Sequence, residues 1–462
     1  MREIKYRKAY FQIEKALETF RVVILLGLRK TGKTTILKQL AANHNGYYID
    51  FRDSKEPERD YNRIFAAESG LILLDEVGYL PDFDVYFETL LTDLDEAGKR
   101  LVLTGSAYGM LKQICRERLG GGRAHMAELF PLSFEEYLYF SGRIARYGTD
   151  YEPDEEDVQN FYRLYNVPNG LDFILDEEYM LSVFSDVEAA RANQQYAIRD
   201  VYLTDTLYRS VVDIFAYTLN ENVNALKFGK VRVGRSEFGR TAETFDLSES
   251  LIKYASLGVA NISFAELGLV IAYLLHSGYL FVDLKVTAAE TQSSDSLVTF
   301  LSGVRTQQEL VNILRTYTLS VISPLLYTRL LVNLEKLAGQ LYTNKALTGK
   351  LFELAVKSED FYRNSFVLMR NSYKYLADNC EVDLCSKHLL LEAAIGYKGD
   401  NAHYVDKVLT DKSLIRVLTD EPGVFENTGK FYRIGYPKAL LMLSNGAIYN
   451  LDRTRISYAR GC

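Results

Sequence analysis

Four cysteines in 462 residues, Cys115, Cys380, Cys385 and Cys462, are too few and too scattered for a disulfide framework. Cys380 and Cys385 have no matching second pair, so no zinc site is indicated and reduced, packed thiols are expected. Long apolar runs are missing too. The most apolar long segment, Leu267 to Leu275, is bracketed by Glu266 and His276 and is far too short to cross a bilayer, so no membrane partner is expected. The opening Met1-Arg2-Glu3-Ile4-Lys5 has no apolar signal region, and the expected compartment is the cytoplasm. A positive balance is the last absence: a net charge of −7 argues against a chain that is basic overall.

What is present is an ordinary globular composition, 48% hydrophobic and 25% charged, in a chain long enough for about three domains. Its charge is unevenly spread. Residues 1 to 40 hold ten Lys/Arg against three Asp/Glu, whereas residues 151 to 190 hold eleven Asp/Glu against Arg163 alone. A basic N-terminal face next to phosphates and an acidic connector fit that split.

The stretch Gly27-Leu28-Arg29-Lys30-Thr31-Gly32-Lys33-Thr34 fits the pattern G-x-x-x-x-G-K-[ST] at every fixed position. Val22 to Leu26 before it is an apolar run of buried-strand length, and Thr34 to Ala41 after it has helical spacing of Ile36, Leu37 and Leu40. Strand, loop and helix in that order predict a nucleoside triphosphate site, with ATP and Mg²⁺ as its ligands. Gly27 and Gly32 let the backbone turn close to the phosphates, so that successive amides and the positive end of the helix dipole face the anion. Lys33 is the expected catalytic contact to the β- and γ-phosphates, Thr34 the expected hydroxyl on Mg²⁺, and Leu28, Arg29, Lys30, Thr31 and Thr35 complete the binding loop.

Tyr6 to Phe20 reads as an amphipathic helix leading into the first strand, and Tyr47 to Phe51 as a second strand. Pro57 and its charged neighbours are expected to break the chain before a helix near Tyr61 to Ala67. Leu71-Ile72-Leu73-Leu74-Asp75-Glu76 puts two carboxylates after four buried apolar residues. Asp75 is expected to hold Mg²⁺ through water, and Glu76 to polarise the attacking water. A helix from Asp84 to Ala97 leads to a third strand, Arg100 to Ser106, whose polar end is suited to sensing the γ-phosphate; Thr104 is the first choice and Ser106 the second. Leu119-Gly120-Gly121-Gly122-Arg123 then places a guanidinium on a loop read as lying at the same end of the sheet. Arg123 is the candidate for completing transition-state charge, in its own chain or in a partner subunit.

The phrases GLRKTGKTT, LILLDE, LVLTGS and GGRAHMAELFPLSFEEYL resemble the archaeal and bacterial AAA-type P-loop ATPases that carry a restriction-endonuclease-like C-terminal domain. Pro131 to Leu138, just after the last core strand, is the most telling stretch. The resemblance is close over residues 1 to about 140 and looser afterwards. It implies a strand between the two Walker strands and Glu76 as the water-activating residue. Gly78 is a departure, since that family more often has Gln there.

Residues 141–200 read as an acidic linker passing into helices, with Gly142, Pro153 and Asp154 to Asp157 as its marks. In residues 201–320 helical spacing followed by a short strand pair near Gly278 to Phe281 suggests a winged-helix unit, and the resemblance points the same way. Lys227, Lys230, Arg232, Arg235 and Arg240 crowd one stretch of it, either a weak, non-specific DNA-facing surface or a solvated loop. Residues 321–462 resemble the endonuclease-like domain, with Glu353, Asp383 and Glu392 at its acidic positions. Two residues beyond Glu392, where such a site carries lysine, stands Ala394; Lys398 lies further along. A poor or inactive nuclease is expected.

The fold class expected is thus α/β: a P-loop NTPase parallel sheet with helices on both faces, a helical or winged-helix region, and a mixed α/β endonuclease-like domain. Two functions stay open. One is Mg²⁺-dependent ATP hydrolysis that rearranges domains on DNA or a protein partner, in a monomer or a homo-oligomer. The other is a low-turnover nucleotide-dependent switch or scaffold.

Overall fold

The computed structural model describes residues 4–27, 31–52, 56–80, 83–105, 111, 124–163, 268, 271, 280–286, 300–301, 303–321, 345–364, 372–377, 380–386, 389–394, 415–419, 421, 423–427 and 432–451. The chain divides into two compact units. The first comprises residues 1–132, 176–208 and 273–279; the second comprises 133–175, 209–272 and 280–462.

In the first unit, helix α1 (Lys8–Thr19) turns Ala9, Tyr10, Ile13, Ala16 and Leu17 to one face and buries them. That spacing is the amphipathic pattern read in the sequence. Strand β1 (Val22–Gly27) is buried along its whole length and feeds α2 (Lys33–His44). Next come β2 (Tyr47–Asp50), α3 (Pro57–Ala66), β3 (Leu71–Asp75), α4 (Phe83–Glu96), β4 (Arg100–Thr104) and β5 (Ala124–Leu129). The helix placed near Tyr61 starts earlier, at Pro57. Its fixed φ and missing amide suit the first turn of a helix, so this proline opens the helix that it was read as preceding.

All five strands are parallel and their order is β2-β3-β4-β1-β5. β4 therefore lies between β1 and β3, as the resemblance implied. Val23, Leu25, Leu71, Leu73 and Val102 pack in one cluster with α1 and α2, and their alternates Ile24, Leu26, Ile72, Leu74, Leu101 and Leu103 are equally buried. Both faces are covered, as a parallel sheet requires. A sheet wound this way gathers its strand ends Gly27, Asp50, Asp75 and Thr104 along one edge, where such folds bind ligands.

The second unit contains an eight-stranded mixed sheet, ordered β12-β13-β11-β10-β9-β8-β6-β7. Its strands are β6 (Leu280–Val286), β7 (Tyr317–Val321), β8 (Ser372–Ala377), β9 (Cys380–Ser386), β10 (Leu389–Ala394), β11 (Ile415–Thr419), β12 (Phe425–Asn427) and β13 (Tyr432–Gly435). The strand expected near Gly278 to Phe281 is β6. It pairs with β7 and, in parallel, with β8, so it is a member of this sheet.

Helices α5 (Phe134–Ser141), α6 (Glu155–Arg163), α7 (Gln307–Thr316), α8 (Lys345–Asn364) and α9 (Tyr436–Asn445) complete the described elements of this unit. α5 opens with a capping box between Ser133 and Glu136. Its other first-turn amides are satisfied from far along the chain: Phe134 N donates to Glu359 Oε1 at 2.6 Å and Glu135 N to Ser444 Oγ at 2.9 Å. The first compact unit runs to Leu132, so α5 belongs to the second. The acidic run at 154–157 is ordered around Asp157, which is fully buried, accepts from Tyr151 Oη at 2.7 Å and pairs with Arg143 Nε at 2.8 Å. Among the described residues no helix is long and apolar enough to cross a membrane.

Candidate active site

The loop after β1 owes its shape to its two glycines, for different reasons. Gly32 caps α2 at φ 103°, a left-handed conformation that a side chain rarely adopts, and open space surrounds it. Gly27 is required by packing: a Cβ there would meet the Leu129 carbonyl oxygen of β5 well inside van der Waals contact. The sequence reading gave Gly27 to phosphate approach alone. Gly27→Ala is therefore expected to destabilise the protein without nucleotide by about 1–3 kcal/mol, since only backbone movement relieves the clash. Denaturant unfolding of the apo protein measures it, and an unchanged midpoint would contradict the close approach.

Lys33 is 4% exposed, and its Nζ donates to the Gly27 carbonyl at 2.8 Å. Thr31 is buried, Thr34 half-buried and Thr35 exposed; Leu28, Arg29 and Lys30 lie outside the described residues. Arg7, which the sequence reading did not single out, ties this loop to the exit of β5. It donates to the carbonyls of Thr31 at 2.8 Å, Phe130 at 3.0 Å and Pro131 at 3.3 Å.

Asp75 ends β3 with no exposure at all. Its Oδ2 accepts from Tyr48 Oη at 2.9 Å, while its Oδ1 is buried with no hydrogen-bond partner among the described residues. Burial lifts its pKa above the ordinary carboxylate range; the Thr34 and Tyr48 hydroxyls pull against that rise, and Glu76 and Asp50 add to it. Burial, followed by the Asp75 carboxylate, likewise raises the Tyr48 phenol. A carboxylate oxygen left bare in such a place suits a cation or its water. Mg²⁺ usually keeps several waters and takes few protein ligands, so Asp75 and Thr34 are the residues here that could hold it.

Glu76 follows at φ 53°, ψ 47°, where a non-glycine residue is uncommon, and only 5% exposed. It caps the short 3₁₀ turn Val77–Tyr79. Asp50 lies beside Asp75 in the β2–β3 register and is gripped by Arg52, whose Nη2 reaches it at 2.7 Å.

Thr104 sits between the Walker strands as expected, yet its hydroxyl faces the sheet. Fully buried, it donates to the Leu25 carbonyl at 2.6 Å. The single hydroxyl hydrogen that a phosphate oxygen would need is spent tying β4 to β1. Ser106 lies outside the described residues.

Arg123 also lies outside them, but the residue to which it is joined is informative. Ala124 opens β5 opposite Val22, whereas Leu129 at the other end lies opposite Gly27. Five strand steps, about 16 Å, separate Ala124 from the phosphate-loop end of the sheet. An extended arginine side chain spans about 7 Å. β5 therefore starts at the end of the sheet opposite the loop that follows β1.

In the second unit Glu353, on α8, pairs with Lys357 Nζ at 3.0 Å. Leu384 of β9 and Leu391 of β10 are register partners, and Asp383 and Glu392 each stand one residue beyond that pair. Ala394 is the last residue of β10, and Lys398, like Lys227 to Arg240, lies outside the described residues.

No curated protein matches the chain. Solved structures that align with the chain include a Walker-type ATPase of Pyrococcus abyssi, 15% identical over 68% of this chain and 96% of that one, with a TM-score of 0.35. AMPPCP-bound DnaA from Aquifex aeolicus is 18% identical over 60% and 86%, at 0.28. The Aeropyrum pernix ORC2 protein, in ADPNP–ADP complexes, is 13% identical over 68% and 95%, at 0.29. Scores this low add nothing to the geometry. The family model described as an AAA domain matches residues 19–138, and the parallel five-stranded sheet of that part of the chain fits a P-loop NTPase fold.

Proposed function

We propose that the chain binds ATP with Mg²⁺ at Gly27 to Thr34 and hydrolyses it, and that the cycle rearranges the protein on DNA or a protein partner. The observation that carries this reading is the edge of the five-stranded sheet. There, the loop bearing Lys33 stands with a fully buried Asp75 carboxylate whose Oδ1 has no protein partner among the described residues.

Lys33 exchanges the Gly27 carbonyl for the β- and γ-phosphates. Thr34 and Asp75 hold Mg²⁺, which when bound neutralises charge on the phosphate oxygens. Glu76 orients the attacking water and takes up its proton. With the Thr104 hydrogen committed to Leu25, γ-phosphate sensing falls to Ser106. Arg123 acts on the nucleotide of a second copy, so the active form is a homo-oligomer.

Residues 321–462 stand in this reading as an endonuclease-like scaffold rather than a working nuclease. Ala394 holds the place where lysine is needed, and Lys357 is engaged with Glu353. The basic stretch Lys227 to Arg240 offers phosphate contacts of the weak, salt-sensitive kind. The low-turnover switch is the second reading; Glu76 counts against it, because a module that only binds needs no water-activating carboxylate.

Steady-state phosphate release, measured with and without duplex and single-stranded DNA, tests the proposal. Lys33→Ala is expected to weaken ATP binding and reduce release to background. Equal release by Lys33→Ala and wild type would refute the site. Tight ATP binding by a wild type that turns over negligibly would favour the switch, and DNA cleavage that is lost in Asp383→Ala would overturn the scaffold.

A further inference from the structure

Tyr48 was legible in the sequence only as one residue of a strand. In the sheet it lies opposite Leu73 while Asp50 lies opposite Asp75, so the four residues share one face of β2 and β3. It reaches diagonally to Asp75 and donates to Oδ2 at 2.9 Å. Lys38 of α2 places its Nζ over the ring, 5.5 Å from the ring centre. Lys38 lies one turn beyond Thr34, so a single helix carries this ammonium and the hydroxyl beside Asp75.

We propose that Tyr48 is a positioning residue for the divalent cation: its hydroxyl fixes the Asp75 carboxylate by Oδ2 and so leaves Oδ1 as the one oxygen offered to the cation. The inference rests on the Mg·ATP reading above and deepens it. A buried carboxylate with neither oxygen held turns about its Cβ–Cγ bond and meets the cation in many orientations. With Oδ2 held, one orientation dominates. Partners that orient a metal-binding carboxylate in this way are typically worth about 10- to 100-fold in metal affinity.

The test uses Tyr48→Phe in the full chain. Binding of a non-hydrolysable ATP analogue is measured at rising Mg²⁺ and again with chelator, and bound Mn²⁺ is read by electron paramagnetic resonance with the analogue present. The expected result is a half-saturating metal concentration about 10- to 100-fold higher than in wild type, with metal-free nucleotide affinity unchanged. Tyr48→His, which keeps a ring and a donor, is expected to recover part of the loss, and it carries the test if Tyr48→Phe does not fold. Metal affinity equal to wild type in Tyr48→Phe, or a histidine variant no better than phenylalanine, overturns the proposal. A wild type whose nucleotide affinity ignores Mg²⁺ overturns it together with the reading on which it rests.

Discussion

Glu76→Gln is expected to bind Mg·ATP as tightly as the wild type and to hydrolyse it about 10²- to 10⁴-fold more slowly, the usual worth of a positioned general base. The substitution keeps the size of a side chain that is almost fully buried and held at a positive φ, so the 3₁₀ turn it caps should survive. What is lost is the negative charge that draws a proton from water. Single-turnover hydrolysis beside equilibrium binding of labelled ATP separates the two effects. Undiminished turnover in Glu76→Gln would remove this residue from the chemistry, and a parallel loss of binding would recast it as a structural residue of the turn.

The second large effect belongs to Arg123. Because Ala124 starts β5 at the end of the sheet away from the phosphate loop, the guanidinium is predicted to serve a neighbouring copy. Arg123→Ala should then lower turnover about 10³- to 10⁵-fold while sparing ATP binding, the range found for arginines supplied in trans. Turnover per chain should also rise with protein concentration. Mixing Arg123→Ala with Lys33→Ala chains should restore hydrolysis, because the second supplies the arginine to the intact loop of the first. A flat concentration dependence with no rescue on mixing would refute the trans arrangement.

The elements around Gly27 to Thr34 are written locally, and so they were readable. Gly27 to Thr34 is one continuous stretch of sequence, Asp75 and Glu76 are adjacent, and both follow apolar runs of buried-strand length. Helix α1 was legible for the same reason, since its apolar spacing is a property of a dozen consecutive residues. The local signal failed at Pro57, where one residue serves equally to stop a chain and to start a helix.

Strand neighbours and helix partners were decided only by the tertiary structure. Nothing near Tyr48 in sequence says that β2 lies against β3, and so nothing gives its hydroxyl to Asp75. The clash that reserves position 27 for glycine comes from Leu129, and the bond that occupies the Thr104 hydroxyl comes from Leu25. The direction of β5, with Ala124 opposite Val22 and Leu129 opposite Gly27, is fixed by pairing with β1 and cannot be read from the residues before it. The stretch Pro131 to Leu138 makes the same point at larger scale. Its capping box is local, but the amides of Phe134 and Glu135 bond to Glu359 and Ser444, more than two hundred residues away. The sequence by itself determined the apolar strand before Gly27 and the helical spacing after Thr34. Which strands and helices would complete them was left to long-range packing, because unsatisfied amides and buried carboxylates accept a partner from any part of the chain that the fold brings within reach.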